Sequence, residues 1–423
     1  MLTTDKLYAR VSARLLPFLF LCYVVAYLDR VNVGFAKLQM QADLHLSDTV
    51  YGLGAGIFFL GYFLFEVPAN LLMLRVGARR WIARIMVSWG LVSVAMLFTN
   101  SPASFYVLRF LLGVAEAGFF PGVILYLTYW YPAQRRARIV AIFMSGVAVA
   151  GVLGGPLSGW IMSQFAGQAG LAGWQWLFLL EGLPAVVLGV LTLAVLDDGI
   201  DDARWLDDEA KALLRQELAR DGEPRAPWGL RHVLGSGRVW ILALMYFLFV
   251  MGLYGVGFWL PQLVRNAGVQ DVLDIGLLTA IPYGLAALAM IVVARRSDRS
   301  GERRWHVALP AFVGAAGLVA STYTAHNPVL ALAALSVATA GILSTFPVFW
   351  SIPTAMLGGT AAAAGIAMIN SLGNLAGFVS PYLVGAIRDA THSTASGMLL
   401  LAASLAVGGA LVLACVGKKG EVL

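Results

Sequence analysis

LFLCYVVAYLDRVNVGFA, residues 19–36, places Asp29 and Arg30 inside an apolar run that is long enough to cross a bilayer. A second run, FYVLRFLLGVAEAGFF at 105–120, holds Arg109 and Glu116. A charged group at the centre of a membrane helix costs roughly 2.5 to 3.5 kcal/mol, so it is retained where it pairs or faces a wet cavity. The four side chains therefore indicate a function inside the membrane.

The composition is that of a polytopic membrane protein. Of 423 residues, 60% are hydrophobic and 12% are charged, and the mean hydropathy is +0.80, which excludes a soluble globular domain of this length. Twelve spans are predicted: 13–36, 50–74, 81–99, 103–129, 138–162, 174–195, 238–264, 273–295, 305–324, 328–356, 359–387 and 394–416. The first is too long for a removable signal peptide and lacks a cleavage site, so we expect it to be retained.

The basic residues predict the orientation. If both termini are cytoplasmic, most of the 29 lysines and arginines lie in inner segments, and the outer segments hold Lys37, Arg265 and Arg388. The pI near 9.4 then reflects topology rather than nucleic-acid binding, so no nucleic-acid partner is expected. Cys22 and Cys415 fall in predicted spans without a CxxC motif, which disfavours disulfide and metal-thiolate sites.

One long polar segment, 197–237, divides the spans six and six. It includes an amphipathic stretch, WLDDEAKALLRQEL, typical of a short surface helix. The prediction is a six-helix bundle at 1–196, a cytoplasmic linker at 197–237 that mainly tethers the halves and tolerates change, and a second bundle at 238–423.

The two halves show signs of an internal duplication. NLLMLRVGARRW at 70–81 aligns with ARRSDRSGERRW at 294–305, and Pro156 aligns with Pro381 at almost the same offset. In transporters built this way, the halves rock around a binding site near the bilayer midplane.

The spacing of the buried charges suggests proton coupling. Arg109 and Glu116 lie on nearly one helix face but about 10.5 Å apart along the axis, so each needs a partner from elsewhere. Asp29 and Arg30 supply one charge of each sign. The four charges sum to zero when ionised and become cationic once the acids are protonated, as coupling of anion binding to protons requires. The alternative is a static buried ion network.

The loops at 70–81 and 294–305 resemble the signature loop of the major facilitator superfamily. Asp298, Gly301 and Arg303 preserve its acid, glycine and base, whereas the first copy has Leu74 in place of the acid. The resemblance implies a gating role for the loop residues Arg75, Arg79, Asp298 and Arg303. They also fit a role in topology alone.

YLDRVNVGFA in span 1, FFLGYFLFEVPANLL in span 2 and RFLLGVAEAGFFPGVILYLTYWYP in span 4 resemble the anion:cation symporter family of that superfamily. The resemblance implies an all-α fold of two pseudo-symmetric six-helix bundles in a bacterial inner membrane, and a monomer that needs no cofactor. Its substrates are small organic anions, such as sugar acids, tartrate-like dicarboxylates or aromatic acids, together with protons. It implies that Arg30 binds the carboxylate, Tyr27 and Tyr62 donate hydroxyls, Asp29 and Glu116 carry protons, and Arg109 biases Glu116.

The second half supplies no buried charge, so its candidates are polar and aromatic. Asn370 and Asn374 lie at i and i+4 on one face of span 11 and need partners if they are buried. An aromatic stripe is more often packing or a lipid belt, so those residues are weaker candidates: Tyr254, Trp259, Tyr283, Phe346, Phe349 and Trp350. We interpret Glu66 and Glu181 as gate residues or loop-arginine partners near the cytoplasmic ends of spans 2 and 6.

The sequence favours proton-driven uptake of an organic anion. Exchange or uniport by the same fold is an alternative, although embedded acids are not needed for simple facilitation. An enzyme is disfavoured because the sequence has no HExxH, no Ser/His arrangement and no phosphate-binding glycine loop. A receptor without transport is disfavoured because there is no soluble signalling domain.

Overall fold

A computed structural model describes residues 4–219, 235–356, 360–418 and 420–422. Seventeen α-helices account for nearly all of them, with short 3₁₀ turns at Met96–Phe98 and Gln168–Gly170 and one isolated bridge between Val416 and Val422. The first bundle contains α1 (Thr4–Val31), α2 (Val33–Asp43), α3 (Asp48–Val76), α4 (Ala78–Ala95), α5 (Pro102–Glu116), α6 (Phe119–Thr128), α7 (Ala133–Met144), α8 (Gly146–Gln164) and α9 (Gly173–Val195).

A helix of the polar segment, α10 (Asp208–Ala219), precedes the second bundle. That bundle contains α11 (Gly237–Asn266), α12 (Val272–Ser300), α13 (Arg304–Tyr323), α14 (Pro328–Met356), α15 (Thr360–Asn374), α16 (Ala376–Thr391) and α17 (Thr394–Cys415). Within the described ranges, eleven segments are long and apolar enough to cross a membrane. The twelfth predicted span, 359–387, consists of α15 and α16, which are interrupted at Leu375 and are each too short alone.

The fourth span is interrupted next to its acid. Helix α5 ends at Glu116, and α6 begins at Phe119 after Gly118, whose φ of 85° lies in the left-handed region. Glycine adopts this conformation without the strain of a Cβ, and here a Cβ would also collide with Ala69 of α3. Local sequence thus places the Glu116 carboxyl at a helix end, where the chain can be close to a ligand.

The two bundles meet tightly at the end of the molecule opposite the termini, which we call the distal end. There Gly52 of α3 lies against the carbonyl of Pro381 in α16, and Gly155 of α8 lies against Gly276 of α12. Neither contact leaves room for a methyl group. Glycines therefore permit close helix approach between the halves, as small residues do in membrane helix pairs.

The first part of the polar segment is more than a tether. Ile200, Leu206 and Leu214 are buried, and the backbone carbonyl of Asp197 accepts a hydrogen bond from Tyr126 of α6 at 2.9 Å. The amphipathic prediction is confirmed by α10. The first residues of the segment pack on the first bundle, and the tolerance of the segment to change stays a prediction.

Asp198 supplies the carboxylate that the first loop lacks. Its Oδ1 accepts from the backbone N–H of Arg79 at 2.8 Å, in the first turn of α4, and Gly77 has φ 94° and lies against the same carboxylate. Leu74, at the position of the missing acid, is exposed. An acid from a distant segment therefore satisfies an N-terminal donor of α4.

We expect Asp198→Ala to lower the free energy of unfolding by about 0.5 to 2 kcal/mol, the usual cost of losing a helix cap. The matched control is Asp201→Ala, because Asp201 forms an ion pair with Arg215 in which both side chains are exposed, and such pairs contribute little. Thermal unfolding in detergent compares the two variants. Equal melting temperatures would contradict this role of Asp198.

The second loop closes on itself. Arg303 forms an ion pair with Asp298 at 2.6 Å, and its backbone N–H donates to the carbonyl of Lys418 at 2.8 Å. Gly301 has φ 66° and ends α12. The acid, glycine and base of the predicted motif thus form one local turn that also holds the segment after α17. No ion pair of Arg75 or Arg79 is seen among the described side chains.

Candidate functional site

Arg30 of α1 and Glu116 of α5 form an ion pair within the first bundle, on the side that contacts the second bundle. The guanidinium Nη2 donates to Glu116 Oε1, and the Arg30 side chain is 14% exposed whereas that of Glu116 is 2% exposed. Arg30 Nη1 donates to the hydroxyl of Tyr254, on α11 of the second bundle, at 3.3 Å. The pair therefore joins α1 and α5 and contacts the opposite half.

The ion pair is incompletely satisfied. Arg30 Nε and Glu116 Oε2 are buried and have no hydrogen-bond partner in the part of the chain that the structure describes. A buried ion pair is stable only when its remaining donors and acceptors are also satisfied. The arrangement leaves a guanidinium donor and a carboxylate acceptor for a further group.

Aromatic rings surround the guanidinium. Its carbon lies 5.3 Å from the ring centroid of Phe58, 5.4 Å from that of Tyr62 and 6.0 Å from that of Phe59. Such rings stabilise a cation and exclude water from its faces. Nη1 and Nη2 already donate to Tyr254 and Glu116, so a planar carboxylate that displaces Glu116 can use Nε and Nη2 as a bidentate pair.

Asp29 occupies a separate site on the other side of α1. Trp89 Nε1 donates to Oδ2 at 2.5 Å, Asn32 Nδ2 donates to Oδ1 at 3.1 Å, and the Ser93 hydroxyl also donates to Oδ1. Three donors thus solvate this 1% exposed carboxyl group. The sequence analysis missed Trp89 and Ser93, although they lie at i and i+4 on α4 and are polar groups in an apolar span.

Arg109 contacts backbone rather than an acid. Its Nε and Nη2 donate to the carbonyls of Gly54 and Ala55 at 3.3 and 3.1 Å, and the residue is fully buried. Arg109 makes no ion pair with Glu116 among the described residues, because Glu116 pairs with Arg30; that Arg109 biases Glu116 stays a prediction. The prediction that Glu116 needs a partner from another helix is confirmed.

Glu66 and Glu181 have other partners than predicted. Glu66 Oε2 accepts from Ser371 of α15 at 3.0 Å, a contact between the bundles, and Glu181 Oε1 accepts from Ser158 of α8 at 2.8 Å. Neither meets a loop arginine among the described residues. Glu181 also lies in the first half of α9, on the distal side of its middle, and not near the end of span 6 that was predicted to be cytoplasmic. Span 6 runs from the distal end toward the end that carries the termini, so a residue in its first half lies on the distal side.

The candidates of the second half are only partly brought together. Tyr254 contacts Arg30, whereas the Trp350 ring packs on Tyr246 with centroids 4.8 Å apart. Asn370 and Asn374 are half-buried on α15, and the described residues include no hydrogen bond of either. The contact from this helix comes from Ser371, which the sequence analysis did not identify.

Neither Tyr27 nor Trp259 makes a hydrogen bond to the ion pair among the described residues. Tyr27 is buried in a small cavity with Tyr283 and Thr279, between α1, α8 and α12. The Trp259 ring lies 3.3 Å from Lys37 Nζ near the distal end. Trp259, predicted as a weak pocket candidate, belongs instead to a cluster of charges that joins the halves there.

This distal cluster is built on α3 and α16. Asp48 forms ion pairs with Lys37 at 2.8 Å and with Arg388 at 3.1 Å. Asp389 accepts from the backbone N–H groups of Asp48 and Thr49 at 3.1 and 2.7 Å, so it caps α3 from the other bundle. Burial acts to raise the pKa of Asp389, but the donors from Thr49 and Asp48 outweigh it and hold the pKa below its ordinary value.

The protein has two helical bundles, and the second bundle contacts an ion pair buried in the first. This arrangement is typical of a membrane transporter, and comparison with known proteins agrees. The model of the Major Facilitator Superfamily matches residues 19–381, and the chain belongs to this family. It is 48% identical over 420 residues to the "Putative metabolite transport protein NicT" of Pseudomonas putida, covering 98% of this chain and 95% of that protein.

The chain is also 48% identical over 416 residues to a "Putative tartrate transporter" of Agrobacterium vitis, covering 97% of this chain and 92% of that protein. Among solved structures, a bacterial homologue of the lysosomal transporter Spinster, in an inward-facing and occupied conformation, superposes with a TM-score of 0.78. It is 16% identical and covers 95% of this chain and 96% of that chain, so it supports the fold alone. The protein is an integral membrane transporter of small organic substrates and not an enzyme.

Proposed function

We propose that the protein is a proton-coupled symporter that imports a small organic anion by alternating access. The observation that carries the proposal is the Arg30–Glu116 ion pair, which lies within the first bundle, contacts Tyr254 of the second half, and leaves Arg30 Nε and Glu116 Oε2 unsatisfied. A substrate carboxylate competes with Glu116 for the guanidinium.

Displacement of Glu116 links anion binding to a proton. When the substrate carboxylate takes over Arg30, the Glu116 carboxyl loses its cationic partner in a buried site and takes up a proton. Asp29 is the second proton-carrying acid, and the buried charge of Arg109 acts on it from α5. The loaded carrier is then close to neutral, which lowers the cost of rearranging charges within the membrane.

The proposed substrates are small carboxylates such as a sugar acid, a dicarboxylate or an aromatic acid. The relative named as a tartrate transporter supports this class. Tyr27, Tyr62, Trp350, Asn370 and Asn374 would complete the pocket around a hydroxylated or ring-bearing acid. The protein would act as a monomer in a bacterial inner membrane with both termini in the cytoplasm.

Exchange or uniport by the same fold remains the alternative mechanism. The test is a thermal-shift screen of the purified protein with tartrate, sugar acids and aromatic carboxylates at an acidic and a neutral pH. We expect a carboxylate to stabilise the protein, with the larger shift at acidic pH because binding and protonation are linked. Stabilisation by uncharged analogues and by no carboxylate would refute the assignment.

Closure of the distal end should depend on Asp389. Asp389→Asn removes an anion from the N-terminus of α3, which is expected to change the ratio of distally open to closed protein about tenfold. The readout is labelling of a cysteine placed at the buried Thr279 by a membrane-impermeant thiol reagent, in protein lacking Cys22 and Cys415. Faster labelling is expected for Asp389→Asn.

The control for this variant is Asp271→Asn, which removes an acidic cap of α12 that lies within one bundle. Because the pKa of Asp389 is lowered in the closed state, its contribution is present at neutral pH and is lost as the pH falls through that pKa. Labelling of the parent protein should therefore also increase below the ordinary carboxyl range, measured relative to an exposed cysteine that corrects for the slower reaction of protonated thiols. Equal labelling of both variants would argue against this gate.

A further inference from the structure

Glu181 is a buried carboxyl group that the proposed transport mechanism does not use. It lies on α9, is 3% exposed, and accepts one regular hydrogen bond, from the Ser158 hydroxyl to Oε1. Its Oε2 accepts none. No cation pairs with it within the ranges that the structure describes, so an ionised Glu181 would be an uncompensated buried charge.

Asn32 connects this carboxyl group to Asp29. Its amide Nδ2 donates to Asp29 Oδ1, and the same side chain also acts as a donor toward Glu181. Asn32 Oδ1 is buried and accepts no hydrogen bond. Asn32 therefore links the two carboxyl groups, while Glu181 Oε2 is a buried acceptor without a regular hydrogen bond.

One proton resolves this deficit. On Glu181 it removes the uncompensated negative charge, so the unsatisfied Oε2 belongs to a neutral carboxylic acid. Asp29 does not need one, because Trp89, Ser93 and Asn32 already donate to its two oxygens. The uneven supply of donors assigns the proton to Glu181 and the negative charge to Asp29.

We propose that Glu181 is a third proton-binding acid that titrates together with Asp29 through Asn32. Glu181 does not contact the substrate and is a positioning residue, since its proton sets the charge against which Asp29 takes up its own. Among the described titratable groups, Asp29 is the one that acts on Glu181 from a neighbouring helix. Helix α8 contributes the Ser158 hydroxyl, and α4 contributes Ser93, which packs on Gly182.

The test is an infrared pH titration of the purified full-length protein without substrate, following the carbonyl stretch of protonated carboxyl groups. We expect a band that persists at neutral pH and is missing in Glu181→Gln. In Asp29→Asn the loss of a neighbouring negative charge should move the midpoint of this band about one pH unit or more to lower pH. A purely structural Glu181 would show no such movement.

Ser158→Ala provides a second variant that keeps Glu181 in place. Removing the donor to Oε1 makes the ionised form less favourable, so the midpoint of the band should move to higher pH. This variant tests the proposal even where Glu181→Gln fails to fold. A band unchanged by Glu181→Gln, or a midpoint unmoved in both Asp29→Asn and Ser158→Ala, would overturn the proposal. The link to transport rests on the proposed function, but this titration needs no substrate, so the two fail separately.

Discussion

Arg30→Ala should abolish most substrate binding, and Arg30→Lys should weaken it by about tenfold to a hundredfold. Hydrogen bonds to a charged group contribute about 1.5–3 kcal/mol, which corresponds to this range of affinity. Lysine keeps the charge but loses the planar fork that meets a carboxylate with two parallel bonds. Calorimetric titration with the carboxylate that gives the largest thermal shift measures the effect.

The matched control is Arg265→Lys. Arg265 is a partly buried arginine on α11 whose guanidinium donates to the carbonyl of Leu38, away from the ion pair. The Arg265→Lys variant should bind substrate with unchanged affinity. Arg30→Ala with the affinity of the parent protein would show that the carboxylate is bound elsewhere.

Glu116→Gln should retain substrate binding and counterflow but lose accumulation against a gradient. Glutamine resembles the protonated acid and cannot release a proton, so the carrier can exchange bound anion but no longer uses the proton gradient. Uptake into proteoliposomes, with and without an imposed pH gradient, separates the two activities. We expect gradient-driven accumulation to fall to the level of equilibration.

The double variant Asp29→Asn, Glu116→Gln removes both proposed proton carriers. Asp274→Asn is the control, since Asp274 is an exposed acid in the first turn of α12. Proton-driven accumulation by the double variant at the parent level would mean that these acids are structural. Coupling would then depend on other groups.

The fold was accessible from the sequence because hydropathy and charge asymmetry act over whole spans. A run of about 20 apolar residues predicts a membrane helix whatever its neighbours, and the duplicated loops indicate two similar halves. The docking of Asp198 on Arg79 was not accessible, because it joins positions far apart in the chain. Composition of the 197–237 segment predicts a polar linker but does not reveal which face packs.

The charged residues of the candidate site were found for the same energetic reason, but their pairing was not. Helical spacing shows that Arg109 and Glu116 share a face, yet only the structure shows that the Arg30 side chain of α1 reaches Glu116 of α5. Arg109 donates from Nε and Nη2 to the carbonyls of Gly54 and Ala55, and helical spacing does not predict backbone acceptors on another helix. Hydroxyl and indole donors such as Ser371 and Trp89 carry no charge cost and so gave no comparable signal.

Proton movement on addition of substrate tests the central claim most directly. Proteoliposomes carrying the protein and an internal pH-sensitive dye are given the identified carboxylate outside, with no pH gradient and with the membrane potential clamped. The account predicts acidification of the interior, at a rate that falls to background in Glu116→Gln. Carboxylate uptake without any change in internal pH would contradict proton-coupled symport and favour exchange or uniport.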